Sequence, residues 1–159
     1  MKPRTAVTAR LFEAPDLRAL YAIEEACFEP DVRFSRSMMR SLTVDVNSRT
    51  WVSVVDEVRA GFAIVGLREQ AESALENTAY IWTVEVLPVF RRMGVARELL
   101  RSVELSAREA DCVAIELHVS ERNKGAQSMY EEAGYAKVAV ETQYYGDEED
   151  AFRYRKMLT

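Results

Sequence analysis

The sequence predicts a single mixed α/β domain, with one parallel strand pair at the centre of its sheet and antiparallel strands on either side. The chain has 159 residues, which is enough to bury one hydrophobic core. Its middle alternates strand, helix, strand and helix patterns, as in a right-handed β-α-β crossover. The segments before and after this middle part instead contain strands of antiparallel character.

The elements of the N-terminal half follow from apolar periodicity and from residues that break helices. We expect a strand at 7–11, an amphipathic helix at 16–28, a second helix at 35–42, and strands at 51–55 and 60–65. One face of the first helix carries apolar residues at helical spacing: Leu17, Leu20, Ile23 or Ala26, and Cys27. That helix ends before Pro30, whose nitrogen has no hydrogen to donate, and Asp56-Glu57 forms the turn of a hairpin.

The C-terminal half is predicted in the same way. Strands are expected at 80–87, 113–119, 135–140 and 152–157, with helices at 92–110 and 125–132. The first of these helices carries four apolar residues spaced for burial: Val95, Leu99, Val103 and Ala107. The polar stretch at 68–78 is predicted to be a long loop between strands, and Gly134 begins the turn after the last helix.

Composition argues against several classes of function. The net charge of −5 and the pI of about 5.1 do not suit a nucleic-acid-binding surface. No apolar run reaches the roughly 18 to 20 residues that span a membrane, and the N-terminus lacks the apolar core of a secretion signal. Two cysteines, Cys27 and Cys112, are too few for a disulfide framework, so we expect reduced, buried thiols in a cytoplasmic protein.

Positive charge is concentrated where a strand passes into the long helix. The strand ends at Pro88, and Arg91, Arg92, Gly94 and Ala96 follow it. Free N–H groups at a helix start favour an anion, glycine lets a phosphate approach closely, and guanidinium groups add charge-assisted contacts. The pattern is compatible with a phosphate site, but taken alone it is more often a glycine beside solvated arginines at a helix start.

Two motifs carry a resemblance to a known family. The segment VEVLPVFRRMGVAR, which starts at Val84, contains V-x-V-x-P followed by R-x-x-G-x-A. Further along the chain, NKGAQSMYEEAGY starts at Asn123 and contains N-x-x-A-x-x-x-Y followed by a Gly-aromatic turn. In this order the motifs resemble the GNAT superfamily of acetyl-CoA-dependent N-acetyltransferases, and the resemblance covers nearly the whole chain.

The resemblance implies a fold, a cofactor and a set of binding residues. The GNAT fold is a mixed, mostly antiparallel sheet whose central parallel strands splay apart between flanking helices, which opens a slot for the thioester of acetyl-CoA. Main-chain groups of Val84 and Val86 would bond the pantetheine arm, and Tyr130 would lie beside the sulfur. The implied cofactor-binding residues are Val84, Glu85, Val86, Arg91, Arg92, Met93, Gly94, Val95, Ala96, Arg97, Asn123 and Tyr130. Without the resemblance, Tyr130 is more simply a core tyrosine on an amphipathic helix.

The sole histidine, His118, is a candidate base. Strand alternation places Ala114, Glu116 and His118 on one face, away from the apolar face. His118 lies near the C-terminal end of its strand, where ligands gather in open α/β sheets, although a lone histidine is also often structural. An α-amine has a pKa near 7.7–8.0, against about 10.4 for lysine, so it needs only a modest base.

Three segments resemble more closely the N-terminal (Nα) acetyltransferases, the protein-modifying branch: YIWTVEVLPVFRRMGVA, LHVSERNKGAQSMY and YYGDEEDA. In one eukaryotic subgroup, a tyrosine and a histidine at these strand positions deprotonate the α-amine through ordered water, which implies such roles for Tyr80 and His118. The bacterial enzymes that acetylate ribosomal-protein N-termini usually have a glutamate in place of His118. The sequence departs from that bacterial pattern, and this leaves the substrate open.

Two glutamates are alternatives on the same strands. Glu85 is the rival base, since some family members use a glutamate on this central strand. Strict alternation places Glu85 opposite Tyr80, Val84 and Val86, which ranks it second. Glu116 shares the polar face with His118, where it either orients the imidazole or is a solvated partner.

The resemblance also implies two walls for the acceptor. One is the loop after the first helix, where aromatic and apolar residues would line a pocket for the first side chain: Phe28, Pro30, Val32 and Phe34. The other is Tyr144-Tyr145, whose hydroxyls would bond a peptide backbone. Such aromatics also often cover the edge of a core, and the acidic residues at 147–150 either attract an ammonium group or form a solvated turn.

These residues lead to a hypothesis of direct transfer within a ternary complex. His118, with Tyr80 and a water, removes the proton from the amine. A main-chain N–H near Val86 stabilises the oxyanion, and Tyr130 protonates the departing thiolate. One histidine and no clustered cysteines imply no metal site, and neither cysteine has a predicted base for a covalent route.

The expected acceptor is the α-amino group of a protein or peptide N-terminus. A small-molecule amine, a lysine side chain, or a sensor that binds acyl-CoA without catalysis are the alternatives. Neither nucleic acid nor a membrane is expected as a partner, and the sequence leaves the oligomeric state open, with a homodimer as one option.

Overall fold

The computed structural model describes residues 6–67, 76–146 and 148–158. The strands within these ranges are β1 Val7–Leu11, β2 Ser48–Val55, β3 Val58–Gly66, β4 Thr78–Val86, β5 Ala114–Ser120, β6 Ala136–Glu141 and β7 Ala151–Met157. The α-helices are α1 Leu17–Cys27, α2 Arg36–Val44, α3 Val95–Glu109 and α4 Lys124–Glu132. Short 3₁₀ turns, Ala14–Asp16 and Pro88–Phe90, precede α1 and α3.

The strands form one sheet in the order β1-β2-β3-β4-β5-β7-β6. Every neighbouring pair in it is antiparallel except β4 and β5, which are parallel. Helix α3 connects the two parallel strands. The predicted central crossover with antiparallel flanks is therefore confirmed.

The parallel strands separate soon after they meet. Their last residue pair is Tyr80 with Glu116. Beyond it, β4 continues to Val86 and β5 continues to Ser120 without further pairing between the two. Main-chain groups that face this gap lack sheet partners, so an extended ligand can hydrogen-bond there.

Two hydrophobic clusters hold helices on the two faces of the sheet. Helices α3 and α4 cover one face, and the four predicted core residues of α3, which are Val95, Leu99, Val103 and Ala107, are each at most 1% exposed. Helices α1 and α2 cover the other face, where Leu20, Ile23 and Met39 pack on Phe62 and Ile64 of β3. Each such side chain contributes roughly 1.5–3 kcal/mol by its burial.

Helix α1 lies within the predicted range but differs from the prediction in what it buries. Ile23 is 1% exposed and Ala26 is exposed, so Ile23 completes the apolar face. Glu24, next to Ile23, is also buried, at 3% exposure. Apolar periodicity does not predict a carboxyl group in this position.

The other boundaries agree with the prediction to within a few residues. The turn at Asp56-Glu57 has φ of 48° and 66°, which is the left-handed geometry of a tight hairpin. Of the predicted loop at 68–78, residues 68–75 lie outside the described residues, and Thr78 already belongs to β4. No helix in the described ranges has the length and apolar character needed to cross a membrane.

Candidate active site

A cavity of about 1150 Å³ lies between the C-terminal end of β4, the start of α3 and helix α4. We call it the cofactor cleft. Most of the predicted cofactor-binding residues line it: Val84, Glu85, Val86, Arg91, Arg92, Gly94, Val95, Ala96, Arg97 and Asn123. Met93 and Tyr130 do not line it, since Met93 is exposed and Tyr130 is buried in the adjacent core.

The turn between β4 and α3 contains two left-handed residues. Arg92 has φ of 63° and Gly94 has φ of 86°. A Cβ atom added at Gly94 would meet nothing within 4 Å, so space alone does not require glycine here. The backbone conformation does, because a residue with a side chain is strained at this φ. These two residues also move the start of α3 to Val95, instead of the predicted 92.

The N-terminus of α3 presents main-chain donors to the cofactor cleft. The N–H of Glu98 donates to the carbonyl of Gly94 at 3.1 Å, so the N–H groups of residues 95–97 precede the helical pattern. Gly94 has no side chain that could cap them. Arg91 and Arg92 line the same cavity. A helix terminus with free donors and nearby guanidinium groups fits a diphosphate such as that of coenzyme A.

Helix α4 begins at the cleft with a side-chain cap. The Oδ1 atom of Asn123 accepts a hydrogen bond from the N–H of Ala126 at 3.0 Å. The spacing N-x-x-A is therefore the spacing of an N-cap residue and the third helical residue. Both Asn123 and Ala126 also line the cavity, so the cap positions one wall of the cleft.

Tyr130 lies behind that wall, on α4. It is 6% exposed and makes an edge-to-face contact with Tyr135, with ring centroids 5.7 Å apart. Burial raises the pKa of Tyr130 well above its ordinary value, and the nearby Tyr145 and Glu85 raise that pKa further. The hydroxyl therefore keeps its proton throughout the physiological range.

Four predicted catalytic and acceptor residues meet on the α1 side of the sheet. The Oη atom of Tyr80 lies 2.7 Å from the Nδ1 atom of His118, a hydrogen-bond distance. Tyr144 stacks on the imidazole, with centroids 4.5 Å apart, and Tyr145 packs edge-on against Tyr144. The side chain of His118 is only 3% exposed. His118 thus lies near the C-terminal end of β5, as predicted, but it is buried beneath the tyrosine pair.

Comparison with known proteins assigns the family. Residues 17–135 match the acetyltransferase (GNAT) family. The chain belongs to this family. This family consists of acetyl-CoA-dependent acyltransferases, so the predicted GNAT fold and acetyl-CoA cofactor are confirmed at the level of the family.

Several relatives of this GNAT chain have names that refer to N-terminal acetylation. It is 39% identical over 109 residues to the "N-terminal acetyltransferase complex ARD1 subunit homolog" of Dictyostelium discoideum, which covers 65% of this chain and 53% of that protein. It is 33% identical over 99 residues to the "N-terminal acetyltransferase A complex catalytic subunit NAA10" of Arabidopsis thaliana, covering 60% of this chain and 52% of that protein. The chain spans about half the length of these curated relatives.

A solved structure shows the same fold. Arabidopsis thaliana NAA60, crystallised with acetyl-CoA, superposes with a TM-score of 0.84 at 20% identity, covering 96% of this chain and 99% of that one. At this identity the likeness concerns the fold alone.

A β-bulge in β4 changes the placement of Glu85. The pairing of β3 with β4 shifts between Ile64, which pairs with Thr83, and Val65, which pairs with Ile81. Trp82 is the extra residue, and one extra residue reverses the alternation beyond it. The prediction that Glu85 lies opposite Tyr80 is therefore wrong, because the bulge brings both side chains to the α1 face.

The carboxyl group of Glu85 is deeply buried in this GNAT domain. It is 2% exposed, and its Oε2 atom accepts a hydrogen bond from the Thr83 hydroxyl at 2.8 Å. Burial and the neighbouring Glu24 carboxyl raise the pKa of Glu85 to about 10. A carboxyl group that is protonated at neutral pH is a poor general base, which again ranks Glu85 below His118.

Charged residues surround His118 on its other side. Glu141 of β6 approaches the Nε2 atom of His118 at 3.8 Å and the Nε atom of Arg153 at 3.5 Å. Glu116 is 2% exposed and accepts a hydrogen bond from the Nε atom of Arg155 at 2.7 Å. Of the two roles considered for Glu116, the solvated one is therefore wrong.

Sequence analysis did not identify Glu141 or Arg153. A signal was available in the register, since His118 pairs directly with Arg153 across β5 and β7. That register depends on how the hairpin between β6 and β7 closes, which local patterns do not specify.

The two cysteines lie in different environments. Cys112 is buried, as predicted. Cys27 is only partly buried and lines the cofactor cleft, so the prediction of a buried thiol is wrong for this residue. Its Sγ atom donates to the carbonyl of Val86 at 3.4 Å, and burial raises the pKa of the thiol above its ordinary value. A thiolate nucleophile is thus disfavoured here.

The predicted acceptor walls are only partly assembled around the cleft. Phe28 lines the cavity, whereas Pro30 and Val32 are exposed. Phe34 is half-buried, and its N–H donates to the Oε1 atom of Glu24 at 2.9 Å. Tyr144 and Tyr145 are each 43% exposed, which leaves part of each ring open to a ligand.

The acidic run makes structural contacts where it is described. Asp150 accepts from the N–H of Gln143 at 2.9 Å, and Glu149 pairs with Arg122 at 3.3 Å. Residue 147 lies outside the described residues. In the ranges that are described, no group of three or more His, Cys, Asp or Glu side chains could hold a metal ion.

Proposed function

We propose that this chain transfers the acetyl group of acetyl-CoA to the α-amino group of a protein or peptide N-terminus. The observation that carries this proposal is the hydrogen-bonded pair of Tyr80 and His118, placed beside the gap between β4 and β5. The names of the relatives support the same acceptor, since they refer to N-terminal acetylation.

The proposed base suits an α-amine. An α-ammonium group loses its proton near pH 8, so a neutral imidazole can remove the proton at modest cost. The Nδ1 atom of His118 lies at hydrogen-bond distance from the Tyr80 hydroxyl. A water that bridges to the amine would complete the path along which the proton leaves the amine. A lysine ammonium group, with a pKa near 10.4, would need a stronger base.

The cofactor cleft would hold acetyl-CoA in the orientation that transfer requires. The cofactor supplies an acetyl group activated as a thioester. The main chain at Val84 and Val86 would bond its pantetheine arm, and the start of α3 with Arg91 and Arg92 would hold its diphosphate. A main-chain N–H near Val86 would donate to the acetyl oxygen.

Tyr130 does not line the cofactor cleft, but it lies within electrostatic range of Glu85, which does, and it is proposed as the partner of the departing sulfur. The pKa of its hydroxyl is raised well above its ordinary value, whereas a thiol has a pKa near 8.5. Complete proton transfer from Tyr130 to a thiolate is therefore unfavourable. Its role is better described as hydrogen-bond donation to the sulfur, which is a change from the sequence-based hypothesis.

A peptide panel tests the proposal. Purified protein is incubated with acetyl-CoA and with pairs of peptides that contain an internal lysine and differ only in a free or a blocked N-terminus. We expect acetylation of the free peptide alone, with the acetyl group located on the α-nitrogen by fragment mass spectrometry. Equal turnover of both peptides would indicate lysine modification. Binding of CoA without product on peptides or small amines would indicate a sensor, and either result rejects the proposal.

A further inference from the structure

Glu24 of α1 and Glu85 of β4 form a buried carboxyl pair beside the cofactor cleft. Their exposed fractions are 3% and 2%, and the Glu24 carboxyl is close enough to Glu85 to raise the pKa of Glu85 by hydrogen bonding and by charge repulsion. Two full negative charges at this separation in a buried site are strongly unfavourable. One of the two groups therefore has to be neutral.

Each carboxyl group has one oxygen that a neighbour holds and one buried oxygen that no neighbour holds. The Oε1 atom of Glu24 accepts from the N–H of Phe34, and the Oε2 atom of Glu85 accepts from the hydroxyl of Thr83. Among the described residues, the Oε2 atom of Glu24 and the Oε1 atom of Glu85 have no hydrogen-bond donor. A single proton between these two oxygens satisfies both.

Other titratable groups near the pair do not replace this proton. Cys27 and Tyr130 both lie within electrostatic range of Glu85, and both are neutral because burial raises their pKa values. Arg91 directs one guanidinium nitrogen to the Sγ atom of Cys27, at 3.9 Å. In the described part of the chain, neither Glu24 nor Glu85 takes part in an ion pair.

We propose that Glu24 and Glu85 share one proton and act as a positioning pair that links the acceptor loop, residues 28–34, to strand β4. Through the N–H of Phe34, Glu24 holds the end of that loop. Through Glu85, the same contact reaches the strand whose main chain is proposed to hold the pantetheine arm. That residues 28–34 contact the acceptor and that β4 holds the pantetheine arm both rest on the proposed function above. The pair then sets the distance between acceptor and acetyl group, and the base role stays with His118.

Isosteric variants separate this role from catalysis by Glu85. In Glu24→Gln and Glu85→Gln, an amide N–H can donate to the remaining carboxylate, so the contact and its net charge persist. For Glu24→Gln we expect acceptor KM and kcat within about fivefold of wild type, and for Glu85→Gln, at a residue that lines the cofactor cleft, a loss of kcat well below about 100-fold. Glu24→Ala leaves the Phe34 N–H without its acceptor, and we expect acceptor KM to rise about tenfold with KM for acetyl-CoA nearly constant. If Glu85 were the base, Glu85→Gln would lower kcat by about 100-fold or more.

The shared proton is directly observable by difference infrared spectroscopy. Protein labelled with ¹³C at the glutamate carboxyl carbons is measured in D₂O at neutral pH, without substrate. We expect a C=O band of a protonated carboxylic acid in wild type, absent from both glutamine variants. No band in wild type, or a band that survives in either variant, overturns the proposal.

The infrared band does not depend on which acceptor the protein uses. If N-terminal peptides are not acetylated but the band behaves as expected, the pair stands and the proposed function fails. If the peptides are acetylated but the band is absent, the proposed function stands and the pair fails.

A second measurement of the shared proton is the free energy of unfolding against pH. Because burial and the neighbouring Glu24 raise the folded-state pKa of Glu85 above the ordinary value of a glutamate, its contribution to stability falls as the pH rises above that ordinary value. Glu85→Gln should remove that fall, and an unchanged slope contradicts a shared proton.

Discussion

At the scale of single residues, the proposed transfer of an acetyl group to an amine depends on how His118 is enclosed. Tyr80 holds one imidazole nitrogen, Tyr144 stacks on the ring, and Glu141 lies near the other nitrogen. With 3% of its side chain exposed, His118 is enclosed by these groups. In the proposed function, an acceptor amine would have to reach it past the partly exposed Tyr144.

Replacement of His118 by Ala should therefore reduce turnover most strongly at low pH. Below about pH 7 most of an α-amine is protonated, so transfer depends on the base, whereas at about pH 9 the free amine is abundant. We expect kcat to fall by about 100-fold or more at the acid end and less at the alkaline end. Steady-state rates across this range test it, with the Kd for CoA from calorimetry as the control. Parent-like activity at low pH would contradict the assignment.

Tyr130 offers a second test, with a matched control in the same ring pair. Tyr130→Phe removes the proposed donor to the sulfur, and we expect kcat to fall about tenfold, the effect of one lost hydrogen bond to a developing charge. Tyr135→Phe removes a buried hydroxyl at the other ring, and should leave kcat unchanged. Rates and thermal midpoints of both variants are compared. Equal effects on kcat would mean that Tyr130 acts only through packing.

At the scale of elements, the cofactor cleft depends on where α3 and α4 begin. A left-handed turn exposes the first amides of α3, and a side-chain cap closes the start of α4. Both starts line the same cavity. The cleft is thus formed by two helix N-termini of different kinds, one left open toward a ligand and one closed by its own side chain.

Gly94→Ala should weaken cofactor binding through backbone strain. The added Cβ atom meets no neighbour, but φ of 86° costs a residue with a side chain roughly 1–2 kcal/mol. Relief of that strain would rotate the first amides of α3, so we expect the Kd for CoA to rise about tenfold. Gly146→Ala is the control, since it also has positive φ and open space around it. Equal Kd values for both variants and wild type would refute the role of the turn.

Asn123 can act as a helix cap, as a ligand to the cofactor, or as both. Asn123→Ala should destabilise the protein by about 1 kcal/mol, whereas Asn123→Ser keeps a capping oxygen and most of that stability. If the cap positions the cleft wall, the serine variant should also keep the Kd for CoA. A serine variant with normal stability but weak CoA binding would show that the amide itself contacts the cofactor.

At the scale of the whole molecule, two helix-covered faces meet at a sheet that opens in its centre. The cofactor cleft lies toward α3 and α4, and the Tyr80–His118 pair lies toward α1. The gap between β4 and β5 joins the two sides. In the proposed reaction, donor and acceptor would therefore approach each other from opposite faces of the sheet.

Much of this architecture was predictable from the sequence. The face of α3 that is buried follows from residues spaced three and four apart, and the hairpin at Asp56 follows from its polar turn. The turn motif around Gly94 and the motif at Asn123 predicted which residues line the cleft. These signals are local in the chain, and each is read within a single element and its ends.

The rest depended on contacts between distant segments. Strict alternation along β4 gives no sign of the bulge at Trp82, which exists because β3 and β4 pair out of step there. That bulge turned Glu85 to the face that Glu24 also occupies. Glu141 reached His118 only through the register of β5, β6 and β7. No local pattern specifies a pairing of this kind.

The most direct test of the account is the affinity of two conjugates in which CoA is joined to the same peptide. One is linked through the peptide's α-nitrogen, and the other through a lysine nitrogen with the N-terminus blocked. Because a linked acceptor gains affinity only if both sites are occupied in the transfer geometry, we predict that the α-linked conjugate binds about 100-fold more tightly than CoA by calorimetry. The lysine-linked conjugate should bind no better than CoA, and equal affinities for the two conjugates would contradict an active site built for an N-terminal amine.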